Sequence, residues 1–319
     1  MRVFNVIIGF VFGLQTAFAN LAINQVSFPQ AEILNQYTSR IPFQLIDNLI
    51  VVKAELMGKK GNFIIDTGSE ALILNKVHFP QKYAHNRKRQ EMTGVVSIID
   101  NPFERKLNSF VIENLVLENQ TSDVIDLSHI ETSKKMKLLG VIGYSILKDY
   151  EVFVDLYLNQ ITLSKTDNKG VKLDPRGYLE KIVDSVGFKL KNHTIVVNAS
   201  INGQPLTFGV DTAAEVNQIN SKASRKALKY FHPKGRLMLT GASNKQIEVL
   251  AGNLHRVKLS ETVYLGPMQT IVTNLDNLNK AFGTTLDGIL GYEFFKQKRT
   301  IINYKKEKLY FVQYPLQRH

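Results

Sequence analysis

The segment Phe63-Ile64-Ile65-Asp66-Thr67-Gly68-Ser69 decides the fold of this chain. It begins as an apolar run of β-type residues and ends in a turn that carries one carboxylate. A buried strand can hold such a carboxylate in a fixed place, and a turn can point backbone N–H groups at it, which keeps it ionisable. Glycine in the turn lets the backbone approach its neighbours closely. The segment therefore predicts a carboxylate placed for chemistry.

The chain contains a second copy of this segment. Phe43 to Asn75 aligns without a gap on Phe188 to Asn220, and twelve of the 33 aligned positions are identical. Asp66 faces Asp211 in this alignment, so the offset is 211 − 66 = 145 residues. A repeat of this length indicates two copies of one structural unit.

The repeat continues downstream. Met92-Thr93-Gly94 resembles Leu239-Thr240-Gly241, and Val141-Ile142-Gly143-Tyr144 resembles Ile289-Leu290-Gly291-Tyr292. Two lobes are predicted, at residues 20–170 and 182–319, with residues 171–181 as the linker after a polar, turn-rich stretch.

Each copy reads as β structure. Leu49 to Leu56 and Thr194 to Ile201 are rich in β-branched residues and each ends at a glycine-containing turn. Asn202-Gly203 is a strong hairpin signal. Helix is expected to be sparse, with short helices after Gly143 and Gly291. The sequence therefore predicts an all-β fold.

The pairing of Asp66 with Asp211 suggests a reaction. Two-fold related copies would bring both carboxylates to the pseudo-axis, as in a symmetric dimer. Two facing carboxylates cannot easily both ionise, so they share a proton. The charged one can take a proton from water while the protonated one donates to a substrate carbonyl, which cleaves an amide. This chemistry requires no metal and no other cofactor.

On these motifs the chain resembles clan AA aspartic peptidases. It is similar to pepsin-like enzymes in being one duplicated chain and to retropepsins in its compact lobes, and most similar to bacterial secreted two-lobed aspartyl proteases. The resemblance implies two retropepsin-like β-barrel lobes related by a pseudo-two-fold axis. It also implies an aspartic endopeptidase with Asp66 and Asp211 as the catalytic pair and an extended polypeptide as the substrate.

The resemblance assigns supporting roles as well. Thr67 and Thr212 would hydrogen-bond across the lobe interface, and Ser69 would support the outer oxygen of Asp66. The full set of supporting turn residues is Thr67, Gly68, Ser69, Thr212 and Ala213. The candidates for flap hairpins over the site are Thr93, Gly94, Thr240 and Gly241.

Two features of the turns leave alternatives open. Ala213 stands where the family has glycine, which strains the loop if a positive φ is needed but serves if only a small side chain and an N–H are needed. A strained turn would favour a catalytically inactive pepsin-like fold that binds peptides or proteins. Glu70 and Glu215 also repeat. They would either shape the subsites or contact a substrate, or be solvated turn residues, and we favour the solvated turn because exposed glutamate is the usual case.

The charge and composition of the chain bear on which kinds of partner the protein is expected to bind. The net charge is +12, from 40 Lys and Arg against 28 Asp and Glu. The densest basic run, His85 to Arg89, has no aromatic neighbours for stacking bases, so a solvated loop is predicted and nucleic acid is not expected as a partner. The seven histidines show no metal-ligand spacing.

The first 19 residues predict export. Arg2 is followed by an apolar run from Phe4 to Leu14, and Ala17-Phe18-Ala19 matches a signal peptidase site. An uncleaved anchor is the alternative, but the run is short for a bilayer. The absence of cysteine favours a bacterial periplasm over a eukaryotic secretory route. We therefore expect a secreted or periplasmic monomer without stable membrane insertion, the lobes forming an intramolecular pseudo-dimer.

Overall fold

The computed structural model describes residues 32–80, 92–93, 98–99, 103–112, 115–177, 181–240 and 246–314, so the predicted signal peptide lies outside the described residues. The first domain comprises β1 (Glu32–Asn35), β2 (Thr38–Pro42), β3 (Gln44–Ile46), β4 (Leu49–Leu56), β5 (Lys59–Ile65), β6 (Leu72–Asn75), β7 (Met92–Thr93), β8 (Ile98–Ile99), β9 (Phe103–Ile112), β10 (Leu115–Ile125), α1 (Ser128–Lys134), β11 (Leu138–Ile142), α2 (Tyr144–Leu147), β12 (Tyr150–Asp155) and β13 (Gln160–Lys165).

A 3-10 turn at Pro175–Gly177 lies before the second domain. That domain comprises β14 (Ile182–Gly187), β15 (Lys189–Lys191), β16 (Thr194–Ile201), β17 (Gln204–Val210), β18 (Asn217–Asn220), α3 (Arg225–Leu228), β19 (Phe231–Thr240), β20 (Gln246–Leu254), β21 (Val257–Lys258), β22 (Tyr264–Leu265), β23 (Met268–Thr273), α4 (Asp276–Phe282), β24 (Gly288–Leu290), α5 (Tyr292–Gln297), β25 (Arg299–Asn303) and β26 (Lys308–Val312). The predicted limits of the lobes and linker stay predictions.

Each domain contains a tight hairpin at the predicted place. Met57-Gly58 joins β4 to β5, and Asn202-Gly203 joins β16 to β17. Both central residues of each turn have positive φ, between 48° and 77°. Two such residues form a type I′ turn, whose twist matches that of the flanking strands. The hairpin predicted from Asn202-Gly203 is therefore confirmed.

The six strands around the first core close into a barrel. Their order is β4-β5-β11-β6-β10-β9, and β9 returns to β4 where Val111 pairs with Glu55. The second domain repeats this order in a ten-stranded sheet as β16-β17-β24-β18-β23-β20. In both, the glycine-containing strand (β11 or β24) runs parallel to the strand that leads into the aspartate. The predicted all-β, duplicated fold is confirmed.

A third sheet joins the two domains, in the order β1-β2-β13-β12-β25-β26-β14. At its centre β12 and β25 pair antiparallel, with Phe153 opposite Ile301. These two residues are themselves equivalent, because 301 − 153 = 148 is also the offset between Gly143 and Gly291. When two equivalent strands pair antiparallel with equivalent residues opposite each other, a local two-fold axis relates them.

The charges beside this axis differ on its two sides. Arg299 and Asp155 form a buried ion pair, with Nη2 2.6 Å from Oδ2 and side chains 2% and 0% exposed. On the other side Asn303 Nδ2 donates to Glu151 Oε2 at 2.8 Å. The duplicated strands have therefore diverged into complementary partners across the domain interface.

Helices occupy little of the described chain. α2 and α5 follow Gly143 and Gly291 as predicted, while α1 and α4, each seven residues long, were not expected. Among the described residues, no helix combines the length and the apolar character needed to cross a bilayer. The main apolar cluster includes side chains from both domains, so the two halves share one core.

Candidate active site

Two equivalent turns hold the predicted aspartates. Asp66 follows β5, and its amide donates to the carbonyl of Ile142 on β11 at 3.0 Å. Asp211 follows β17, and its amide donates to the carbonyl of Leu290 on β24 at 2.9 Å. The glycine-containing strands therefore fix both aspartates in the same way, as the sequence repeat implied.

Backbone N–H groups bind one oxygen of each carboxyl. Asp66 Oδ1 accepts from Gly68 N at 2.8 Å and from Ser69 N at 3.0 Å. Asp211 Oδ1 accepts from Ala213 N at 2.8 Å. Both aspartates are buried. Neither Oδ2 atom has a donor among the described groups when both carboxyls are ionised, so a shared proton would provide one.

Thr67 and Thr212 bind the two turns to each other. The amide of each residue donates to the Oγ1 of the other at 3.0 Å. Each hydroxyl in turn donates across the interface, Thr67 to the carbonyl of Val210 at 3.2 Å and Thr212 to that of Ile65 at 2.8 Å. All four hydrogen bonds are buried, so they fix the separation of the turns. The crossed hydrogen bonding implied by the family resemblance is present.

The turn at Ala213 is not strained. Neither Gly68 nor Ala213 has a positive φ. The Ala213 methyl group is buried in an apolar cluster of the first domain that includes Leu49, Val51 and Ile64. The site therefore needs only a small side chain and an N–H at this position, and the strained-loop alternative is wrong.

Gly68 is under a stricter constraint. A Cβ atom placed there would lie 2.7 Å from Asp211 Oδ2 and 2.8 Å from its Cγ, closer than real Cβ contacts come. The carboxyl of Asp211 thus lies against the turn that carries Asp66. The two carboxyls are close enough to hydrogen-bond to each other when one is protonated.

The shared environment raises the pKa of both carboxyls. Burial raises the pKa of Asp66 well above its usual range, and the charge of Asp211 raises it further. Burial also raises the pKa of Asp211, but the Ala213 N–H and the hydrogen bond with Asp66 oppose that rise. The pair titrates as a unit and shares one proton between the two carboxyls.

Comparison with known families agrees with this geometry. Residues 48–154 match the model of the retroviral aspartyl protease family, and residues 197–294 match a second aspartyl protease family model. Each match contains one of the two aspartates. The chain is a tandem of two aspartyl protease domains. The predicted retropepsin-like character of both domains is confirmed. A search of curated proteins found no significant match to the chain.

The Ser69 hydroxyl does not have the role expected in an aspartyl protease domain. Its Oγ donates to the carbonyl of Ala71 at 3.3 Å, not to the outer oxygen of Asp66. A serine hydroxyl readily hydrogen-bonds to the backbone two residues away, and here this local hydrogen bond forms instead of one to Asp66. The expectation was wrong for the hydroxyl, although the Ser69 N–H does support Asp66 Oδ1.

The flap candidates lie at strand ends. Thr93 belongs to β7 and pairs with Ile98 of β8, and Thr240 ends β19 opposite Gln246 of β20. Gly94 and Gly241 lie outside the described residues. Both copies therefore begin a hairpin at the predicted place, and their role as flaps stays a prediction.

Several residues near the turns were missed or misread. Glu215 is buried and bonded to Lys134 of the first domain, with Oε1 2.6 Å from Nζ, so its interpretation as a solvated residue was wrong. Glu70 is partly exposed, and its Oε2 lies 3.9 Å from Nδ1 of the buried His193. The repeat marked both glutamates but gave no sign of their partners, which differ between the copies.

His193 and Tyr304 add buried polar groups beside the aspartates. Burial lowers the pKa of His193 to about 4, which outweighs the opposing effect of the Gly68 backbone. Burial raises the pKa of Tyr304, and the charges of Asp66 and Asp211 contribute to that rise. Within the described part of the chain, no three His, Asp or Glu side chains group as ligands of a metal ion would.

Proposed function

We propose that this protein is an aspartic endopeptidase that hydrolyses peptide bonds with a water molecule activated between Asp66 and Asp211. The closeness of two buried carboxyls on equivalent turns that hydrogen-bond to each other carries this proposal. The matches to aspartyl protease families in both domains support it.

The geometry supports a division of labour between the two carboxyls. The ionised carboxyl of the pair takes a proton from the water as the water oxygen attacks the peptide carbonyl carbon. The protonated carboxyl donates its proton to the carbonyl oxygen, which gives a neutral tetrahedral diol. The first carboxyl then returns its proton to the leaving nitrogen, and the second recovers one from a diol hydroxyl as the C–N bond breaks.

The substrate we propose is a polypeptide in extended conformation. An apolar cavity of about 200 Å³ lies next to the Asp211 turn and is lined partly by Val216, Leu237, Ala251 and Ile271. The adjoining β19 and β20 form the hairpin that leads to the candidate flap. Such a cavity suits an aliphatic side chain of the peptide.

The remaining sequence expectations complete the proposal. We propose an exported protein, secreted or periplasmic, that acts as a monomer on polypeptides and binds neither nucleic acid nor a membrane stably. The interdomain sheet is consistent with the monomer, because each domain already has its symmetry mate within the chain. The non-catalytic peptide-binding alternative depended on strain at Ala213, and the relaxed turn removes that support.

The test is cleavage of an unfolded protein at mildly acidic to neutral pH. The purified chain is compared with Asp66→Asn and Asp211→Asn, and with Asp126→Asn as a control at an exposed aspartate. We expect cleavage by the wild type and the control only, blocked by a statine-type transition-state mimic. Cleavage by Asp66→Asn at the wild-type rate would contradict the mechanism. Binding of the mimic without any cleavage would favour the peptide-binding alternative.

A further inference from the structure

A buried ion pair connects the first domain to the catalytic turn of the second. Lys134 ends α1, and its Nζ lies 2.6 Å from Glu215 Oε1 and 3.0 Å from Asp47 Oδ2. The side chains of Lys134 and Glu215 are each only 1% exposed. Breaking a buried pair from one side is costly because the other charge stays buried.

Glu215 belongs to the turn that carries Asp211. The preceding residue, Ala214, donates its amide to the carbonyl of Asp211 at 3.3 Å. The carbonyl of Glu215 accepts from Asn48 Nδ2 of the first domain at 3.0 Å. Both the backbone and the side chain of Glu215 are thus bound by first-domain residues, which attaches this end of the turn to the opposite domain.

The equivalent glutamate of the other turn, Glu70, has a different neighbour. The residue at the equivalent helix end is Phe282, because α4 ends there and 282 − 134 = 148. Its ring packs against His193 at 5.3 Å, and His193 is the neighbour of Glu70. The glutamate was therefore retained in both copies, whereas the lysine is specific to the Asp211 turn.

We propose that Lys134 is a positioning residue that holds the Asp211 turn in register with the Asp66 turn through Glu215. This proposal rests on the proposed peptidase function for its effect on rate. A displacement of about 1 Å at a reacting group costs about 10²-fold in rate, so even a small shift of the turn matters. Lys134 does not contact the aspartates in this role; it acts through Glu215.

The experiment uses the full chain and two readouts. Lys134→Met removes the cation, Glu215→Gln removes the anion with little change of shape, and Arg299→Met removes the other buried interdomain pair as a matched control. Hydrogen–deuterium exchange by mass spectrometry reports on a peptide spanning the Asp211 turn. Steady-state kinetics on a peptide substrate reports kcat and KM separately.

We expect faster amide exchange at the Asp211 turn in Lys134→Met and Glu215→Gln. In Arg299→Met we expect faster exchange in β12 and β25 instead. We expect kcat of the two turn variants to fall by about 10- to 100-fold with little change in KM, which is typical of a lost transition-state arrangement. The kcat of folded Arg299→Met should stay near that of the wild type.

Unchanged exchange at the Asp211 turn in both turn variants would overturn the positioning role. An equal fall of kcat in Arg299→Met would also overturn it, because any loss of domain contact would then suffice. If the wild type cleaves nothing, the proposed function fails, and the exchange measurement still decides whether Lys134 holds the turn.

Discussion

Replacing Gly68 with alanine would place a methyl group between the two catalytic turns. The new Cβ would lie 2.7 Å from Asp211 Oδ2 and 3.1 Å from Oδ1 if nothing moved. Ordinary contact for such atoms is about 3.5 Å, so the carboxyl of Asp211 must retreat by about 0.5 to 1 Å. The crossed threonine hydrogen bonds keep the two backbones together, so the carboxyl itself takes up most of the shift.

This shift sets the size of the expected effect. Because misplacing a reacting group by about 1 Å costs about 10²-fold, we expect Gly68→Ala to lower kcat by about 10- to 100-fold. That range equals about 1.4 to 2.7 kcal/mol of transition-state stabilisation. The fold should survive, since Ala213 already occupies the equivalent position in the second turn without positive φ.

The assay is steady-state cleavage of a quenched fluorescent peptide, with thermal unfolding measured in parallel. Ala213→Gly is the matched control, because it makes the reverse change at the equivalent position. It removes a methyl group from the apolar cluster of the first domain, so we expect about 1 kcal/mol of lost stability and a much smaller loss of kcat. A wild-type kcat for Gly68→Ala would refute the assignment of close contact between the turns.

Three further predictions concern stability, measured by urea unfolding. Thr212→Val leaves the buried Thr67 N–H unpaired and should lower the free energy of unfolding by about 2 to 4 kcal/mol; no change would mean the crossed bonds contribute nothing. Arg299→Met leaves Asp155 buried without its guanidinium and should cost about 3 to 5 kcal/mol, whereas a smaller effect would indicate rescue by water. His193 has a pKa lowered to about 4 by burial, so its contribution is complete above about 6.5 and is lost as the pH falls through 4. His193→Gln should lack this loss of stability, which is about 3 kcal/mol. The titration of the aspartate pair is common to both proteins and cancels in the comparison. Equal acid sensitivity of the wild type and His193→Gln would contradict the prediction.

The repeat predicted the parts of the fold that follow from local pattern and symmetry. β4 and β16 begin and end where the segments rich in β-branched residues begin and end, and Asn202-Gly203 forms its hairpin. The gapless offset of 145 predicted that Asp66 and Asp211 lie side by side, because equivalent residues of two-fold related copies meet at the axis.

The features that the sequence did not predict depend on contacts between unlike residues. Glu215 is buried because Lys134 reaches it from the other domain, and no repeat points to Lys134 when Phe282 occupies the equivalent position. The tolerance of the turn for Ala213 depends on a φ angle and on a cluster in the opposite domain. The pattern of residues along the sequence contains neither the φ angle nor the contacts of this cluster.

The sharing of one proton between Asp66 and Asp211 is tested most directly by carbon-13 NMR titration of the aspartate carboxyls. In the wild type we predict one carboxyl with a pKa well above its usual value of 3.8, since burial and the neighbouring charge both raise it. In Asp211→Asn the neighbouring charge is gone, so the pKa of Asp66 should fall while burial keeps part of the rise. Two carboxyls that titrate near 3.8, each unaffected by replacement of the other, would contradict a shared proton.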